Sequence, residues 1–238
     1  MGKISILMAV HNGEKYIVQA INSALNQTFQ DFKLFICANA CTDNTISIVG
    51  QIMQNHPQKD KIYLTTLPYA NKSNALNYLL DICDGEYVAI LDADDYWHTT
   101  KLEKQIIYTQ NHDIIGTQTY YVSYISAIMQ LSNPVPETNQ EIRESILQNH
   151  RNPIINSSVL INRKYIRNGT RWDKELDGVE DFKLWAELAI FTNAKFYNIP
   201  EKLTYHRLHA DSHFNNTSYQ EDKLAQIKQY INDNKFNK

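Results

Sequence analysis

Two periodicities alternate along the first hundred residues. Ile4-Ser5-Ile6-Leu7-Met8-Ala9-Val10 is an almost unbroken apolar run, the pattern of a strand covered on both faces. Over residues 16–25 the apolar positions Ile17, Ala20, Ile21, Ala24 and Leu25 fall three and four apart, which predicts a helix. The pair then repeats. Residues 32–37 read as a strand and 43–53 as a helix with Ile46, Val49, Ile52 and Met53 on one face. Residues 61–65 and 87–91 read as further strands, followed by helices over 73–81 and near 99–110. Strand and helix alternating at this spacing predict βαβ units. The expected fold is therefore α/β and Rossmann-like, a mainly parallel central sheet flanked by helices.

Beyond residue 112 the pattern loosens. Residues 117–128 are β-prone and rich in tyrosine, and Asn133-Pro134-Val135-Pro136 reads as a loop. Thr138 and Glu141 have the spacing of a capping box opening a helix toward Leu147. A strand is expected over 154–161, a helix over 179–190 and a polar terminal helix over 219–231. No repeat or low-complexity linker divides the chain. It reads as one domain, 1–238, with a wound half (1–112) and a less regular half (113–238).

Composition narrows the function classes. The 238 residues are 43% hydrophobic and 21% charged, enough apolar material for a sizeable core without disulfide staples. The net charge of −3, from 23 basic against 26 acidic residues, gives no general attraction to nucleic acid or anionic membrane. No apolar run approaches the roughly 20 residues of a membrane helix, so no transmembrane segment is expected. The first residues lack a basic stretch followed by an apolar one, so no secretory signal is expected. Cys37, Cys41 and Cys83 are an odd count that fits reduced thiols, and the 37/41 pair has no neighbouring His or Cys cluster for zinc. A cytoplasmic location is the expectation.

In open parallel sheets, ligands bind beyond the carboxyl ends of the strands. Polar residues follow all four expected strands: His11-Asn12-Gly13-Glu14, Asn39 to Asp43, Asn71-Lys72, and Asp92-Ala93-Asp94-Asp95. Three carboxylates within four residues repel one another unless a cation neutralises them. Oxygen ligands of this kind suit Mg²⁺ or Mn²⁺ shared with substrate phosphates. An acidic turn capping a helix is the competing explanation, and the position directly after a hydrophobic strand favours the metal. No Walker motif, spaced G-x-G-x-x-G or G-x-S-x-G elbow occurs, so phosphates are not held by a glycine loop and a serine hydrolase is unsupported. Glu180-Asp181 opens a helix, where dipole pairing alone accounts for acidic residues. His206, His209 and His213 read as surface histidines on an exposed loop.

Taken together, the segments resemble a family 2 glycosyltransferase of the GT-A fold. The resemblance is carried by Met8 to Tyr16 with its His11-Asn12-Gly13-Glu14, by Leu25-Asn26-Gln27-Thr28-Phe29 and Asp31-Phe32, and by Cys41-Thr42-Asp43-Asn44-Thr45. It continues in Gly85-Glu86-Tyr87, Leu91 to Asp95, Glu180-Asp181-Phe182-Lys183-Leu184-Trp185, and Arg207-Leu208-His209-Ala210-Asp211-Ser212. It is close over residues 3–110 and ordered but patchy over 150–212. It implies inverting transfer of a sugar from a nucleoside diphosphate sugar, with a UDP-sugar first among donors, to a hydroxyl of a glycan, lipid-linked or protein acceptor. The donor would meet Ala9, Val10, His11, Asn12, Glu14, Asn39, Asn71, Lys72, Asn77, Asp92 and Ala93. Mn²⁺ or Mg²⁺ would sit on Asp94, assisted by Asp92, Asp95 and His209, with Arg207 balancing charge. Asp181 would be the general base, with Glu180 orienting it or meeting the acceptor, and residues 113–238 would form the acceptor half. Three departures bear on the nucleotide base: Ala38-Asn39 replaces two acidic residues, His11 replaces tyrosine, and the loop before Asn77 is short. A non-catalytic carbohydrate-binding descendant of the fold and a two-carboxylate glycoside hydrolase stay open as alternatives.

Overall fold

Strand β1 (Ile4–Val10) runs through the middle of the sheet, and its side chains alternate between two cores. Ile4, Ile6, Met8 and Val10 pack with helix α1 (Ile17–Leu25) and with Val49 of α2 (Thr45–Asn55). Leu7 turns to the other side, with Phe35 and Cys37 of β2 (Phe32–Asn39) and Leu76, Leu79 and Leu80 of α3 (Lys72–Ile82). Covered on both faces, β1 has no polar face to display, which is why its sequence does not alternate. The computed structural model describes residues 3–123, 125, 127–131, 134–166, 169–209 and 217–236.

The first half completes its winding with β3 (Ile62–Leu67) and β4 (Tyr87–Ile90); β1, β2, β3 and β4 pair in parallel. Each expected strand and helix of this half is present, with ends shifted by a few residues. After it come β5 (Tyr96–Trp97), α4 (Lys101–Tyr108), β6 (Ile114–Ser123), β7 (Ile128–Leu131), α5 (Asn139–Leu147), β8 (Leu160–Asn162), α6 (Glu180–Phe191), β9 (Phe196–Leu208) and α7 (Thr217–Asn234). The sheet order is β3-β2-β1-β4-β8-β6-β9-β5, with β7 paired to β6. Strand β8 is antiparallel to both β4 and β6, and β5 is antiparallel to β9, so the sheet as a whole is mixed.

Three differences from the sequence expectation fall in the second half. Residues 154–161 form a strand only at their end; Asn156–Ser158 is instead a single 3₁₀ turn. Strands β5 and β7 are too short to leave a periodic signal. Strand β9 is long, but Pro200-Glu201-Lys202 interrupts its apolar pattern. The interruption is absorbed by a bulge against β6, where Thr117 pairs with Ile199 and the next residue, Gln118, with Lys202. The capping box at Thr138 and Glu141 is formed, each side chain meeting the other's backbone amide. Among the described residues no helix is long and apolar enough to cross a membrane.

Candidate active site

The carboxyl ends of β1, β2 and β4 open into one cleft of about 1050 Å³. Its floor is a pair of interlocked loops. Gly13 turns the chain after β1 where a Cβ would lie 2.5 Å from Val10 Cγ2, and its amide donates to Thr45 Oγ1 at 2.8 Å. Asn12, at φ +52°, accepts from the Thr42 amide at 2.8 Å. Glu14 accepts from the Asn44 amide at 3.0 Å and its own amide donates to Asp43. His11 donates from Nδ1 to the Asn39 carbonyl at 2.8 Å. These bonds fix the backbone of Ala9 to Glu14 against that of Asn39 to Asn44. The Asn39 side chain lines the cleft, 2% exposed, and its Oδ1 has no hydrogen-bond partner among the described residues.

The aspartate run divides three ways, because successive residues of a turn point in different directions. Asp92 faces Lys72, with Oδ1 2.7 Å from Nζ, and receives the Asn156 amide at 3.2 and 3.3 Å. Lys72 also reaches Glu180 Oε1 at 3.4 Å. Burial opposes the Lys72 charge, yet Asp92 and Glu180 hold its ammonium well above the ordinary lysine range. Asp94 points into the cleft and meets His209 Nε2 at 2.9 Å, with the Tyr16 ring 4.9 Å from that imidazole. Burial works against the Asp94 charge, but the His209 bond and the charges of His206 and Lys72 hold it below the usual carboxylate value. Asp95 turns inward, 1% exposed, accepting from His206 Nδ1 at 3.0 Å and the Arg207 amide at 2.8 Å. Burial pushes Asp95 up, while Asp95 overcomes the burial of His206 and raises it to about 9.

The four residues expected around a metal therefore face different partners. Asp92 is held by Lys72 and Asn156, and Asp95 serves as the internal partner of β9. Among the described residues no three His, Cys, Asp or Glu side chains converge as a metal cluster. Asp94 and His209 do fit a hard divalent cation completed by phosphate oxygens and water. Both line the cleft, and the hydrogen bond between them brings a carboxylate oxygen and an imidazole nitrogen to one point.

The second carboxylate pair enters from α6. Gly178, at φ +96°, turns the chain so that the first helical turn faces the cleft, and its amide donates to Glu180 Oε2 at 2.6 Å. Glu180 is 2% exposed. Asp181 accepts from Asn152 Nδ2 at 2.9 Å and from the Phe182 amide at 2.7 Å. Burial and the neighbouring Glu180 charge raise its pKa to about 7. The cleft thus joins a Asp94–His209 pair to a carboxylate poised to exchange a proton near neutrality.

Of the other expected residues, Ala9, Val10, Asn71, Lys72 and Ala93 line the cleft. Asn71 spends its side chain capping α3, accepting from Asn74 at 2.8 Å and donating to Lys174 at 3.0 Å. Asn77 does not reach the cleft: it clamps the backbone of Trp172, donating at 2.8 Å and accepting at 3.2 Å. His206 is half-buried on β9, not on an exposed loop, and His209 sits just past the end of that strand. Arg207 holds the Asp94 carbonyl at 2.8 Å and Gln19 at 2.6 Å, so it shapes the aspartate turn from behind. Trp185 is fully buried in the core behind α6. His213 and Ser212 lie outside the described residues. Asn152, Asn156 and Ser157, whose hydroxyl accepts from the Asp92 amide at 3.0 Å, were hidden inside an apparent loop and strand. Their one signal was the polar triplet Asn156-Ser157-Ser158 breaking an apolar run.

The model of glycosyl transferase family 2 matches residues 5–170. An Escherichia coli protein, UDP-Glc:alpha-D-GlcNAc-diphosphoundecaprenol beta-1,3-glucosyltransferase WfaP, is 30% identical over 216 residues, covering 89% of this chain and 80% of that one. The chain therefore belongs to glycosyl transferase family 2. Among solved structures, S. aureus TarS in complex with UDP-GlcNAc superposes with a TM-score of 0.76 at 19% identity, over 96% of this chain and 65% of that chain. A mannosyltransferase from Pyrobaculum calidifontis, in complex with GDP-Man and Mn²⁺, gives 0.67 at 13% identity, over 97% and 70%. The fold is that of GT-A glycosyltransferases. The chain spans just under two thirds of the TarS chain.

Proposed function

We propose that this enzyme moves a sugar, with inversion, from a nucleoside diphosphate sugar, a UDP-sugar first among them, to an acceptor hydroxyl. The observation that carries the reading is Asp181, a carboxylate raised to about 7 in the same cleft as the Asp94–His209 pair. The wound half, 1–112, supplies the donor side, where Asn39 receives the base and the interlocked loops after β1 and β2 hold the ribose and diphosphate. Asp94 and His209 would hold a divalent cation, Mn²⁺ or Mg²⁺, which would neutralise charge on the departing diphosphate. The less regular half, 113–238, supplies the acceptor side.

Each of the chain's own residues then has a physical task. Asp181 accepts the proton of the acceptor hydroxyl as that oxygen attacks the anomeric carbon from the face opposite the diphosphate. The bond from that carbon to the diphosphate oxygen breaks, and the electron pair leaves with the diphosphate. Asn152 holds Asp181 in line by donating to the oxygen not engaged by Phe182. Lys72 pairs with Asp92 and Glu180 and so balances the negative charge that gathers beside Asp181. The WfaP relative and the UDP-GlcNAc and GDP-Man complexes of the structural neighbours support a nucleotide-sugar donor.

The test is incubation with a panel of nucleotide sugars and simple acceptors, with mass detection of products, in Mn²⁺ and in excess chelator. Transfer from one nucleotide sugar, lost in chelator, supports the proposal. Glycoside cleavage that persists in chelator without any nucleotide would instead mark a two-carboxylate hydrolase.

A further inference from the structure

Arg151 is an exposed cation on the wall of the cleft, one residue from the side chain that orients Asp181. Its main chain is pinned on both sides by Ser145: its amide donates to the Ser145 carbonyl at 2.9 Å, and the Ser145 hydroxyl donates to its carbonyl at 3.3 Å. His150 before it is held at φ +51°, an uncommon conformation for a residue with a side chain, and its Nε2 lies 3.2 Å from Asn232 Oδ1 on α7. Asn152 after it is fixed on Asp181. The loop is therefore rigid, yet the guanidinium it presents has no carboxylate partner among the described residues.

Carboxylates line the same cleft. Three of them are already engaged elsewhere. Asp181 accepts from Asn152 and Phe182, Glu180 pairs with Lys72 and Gly178, and Asp177 accepts from the Lys72 amide at 3.1 Å. An arginine on the wall of a cleft whose carboxylates other groups satisfy is available to an anion brought by a ligand. Guanidinium and phosphate oxygens match as a two-point fork, which a point charge such as lysine reproduces only in part.

Resting on the donor and base assignments above, we propose that Arg151 reads a phosphate group on the acceptor. The accepting hydroxyl would then belong to a sugar or polyol that carries a phosphate or diphosphate ester, and Arg151 binds that ester while Asp181 addresses the hydroxyl. The same chemistry is offered by a glycosyl phosphate, a polyol phosphate or a lipid diphosphate.

Calorimetric titration of the full chain, saturated with UDP and Mn²⁺, distinguishes these sources. The probes are methyl glucoside, glucose 1-phosphate, glycerol 3-phosphate and a glucosyl diphosphate ester of a short isoprenyl alcohol. At least one phosphate probe is expected to bind tenfold or more tighter than methyl glucoside, and the strongest of the three identifies the source. Arg151→Gln should erase that gain with UDP affinity unchanged, and Arg151→Lys should keep part of it. Equal binding of neutral and phosphorylated probes by the parent, or a gain that survives Arg151→Gln, overturns the proposal. Failure of the parent to bind UDP counts against the donor assignment instead, so the two readings fail separately.

Discussion

Asn152 offers a direct handle on the base. Its Nδ2 donates to Asp181 Oδ2 at 2.9 Å, while its Oδ1 accepts from the Ile154 amide at 3.2 Å. The first bond favours the ionised form of Asp181, whose pKa burial and Glu180 have raised to about 7. A hydrogen bond to a charged group contributes about 1.5–3 kcal/mol, and the exposure of Asn152 places this one at the lower end. One pKa unit corresponds to about 1.4 kcal/mol, so Asn152→Ala is expected to raise Asp181 by about one unit. Because a base works only when deprotonated, the acidic limb of kcat/KM should move from near pH 7 to near pH 8, with the alkaline plateau retained. Asn152→Asp keeps the acceptor for Ile154 but sets a like charge against Asp181, and should push the limb higher still. The assay is the pH–rate profile of nucleotide release for the three proteins. An unmoved limb, or a rate lowered equally at every pH, refutes the reasoning. The same linkage has a substrate-free readout. The folded-state pKa lies above the unfolded one, so stability falls as pH rises from about 4 to about 7. Asp181→Asn should therefore raise Tm at pH 8 and leave it nearly unchanged at pH 4.

Three further outcomes follow from the site. Asp94→Asn removes the carboxylate beside His209 and should abolish the Mn²⁺-dependent part of UDP binding measured by calorimetry; undiminished Mn²⁺-dependence would remove Asp94 from the metal's ligands. Lys72→Met strands Asp92 and Glu180 and should cost about 3 kcal/mol in urea unfolding at neutral pH, with a stability unchanged within 0.5 kcal/mol (a typical surface effect) arguing against the bridge. Asn39→Asp replaces an amide with an acceptor-only group suited to the N3–H of uracil. It should tighten UDP relative to CDP and GDP by about 1 kcal/mol, and no change in any of the three would mean that Asn39 does not touch the base.

The wound half was legible because each of its elements has one dominant local cause. β1 is apolar throughout since both faces are covered, and α1 shows its period since one face is. The polar ends of those strands therefore marked the cleft before any contact was known. What stayed hidden depends on partners distant in sequence. Asp94 and Asp95 are neighbours with identical chemistry, yet one faces the cleft and the other faces β9, and only the position of His206 on a strand interrupted by Pro200, with His209 just past its end, separates them. Asn77, which the resemblance would set against the donor, lies on the side of α3 that meets Trp172. Asn152 and Asn156 act through Asp181 and Asp92, more than 25 residues away in the chain in each case. A side chain's role there is set by topology, which local pattern does not carry.

The central claim is that Asp181 takes the acceptor's proton in a cleft that holds the nucleotide independently of it. Turnover and UDP affinity of Asp181→Asn, measured on one preparation, test it most directly. The amide keeps the shape but cannot accept the proton, so turnover should fall by roughly 10²–10⁴ while UDP affinity stays within about twofold. Turnover within tenfold of the parent would contradict the account and return Asp181 to a capping role at the start of α6.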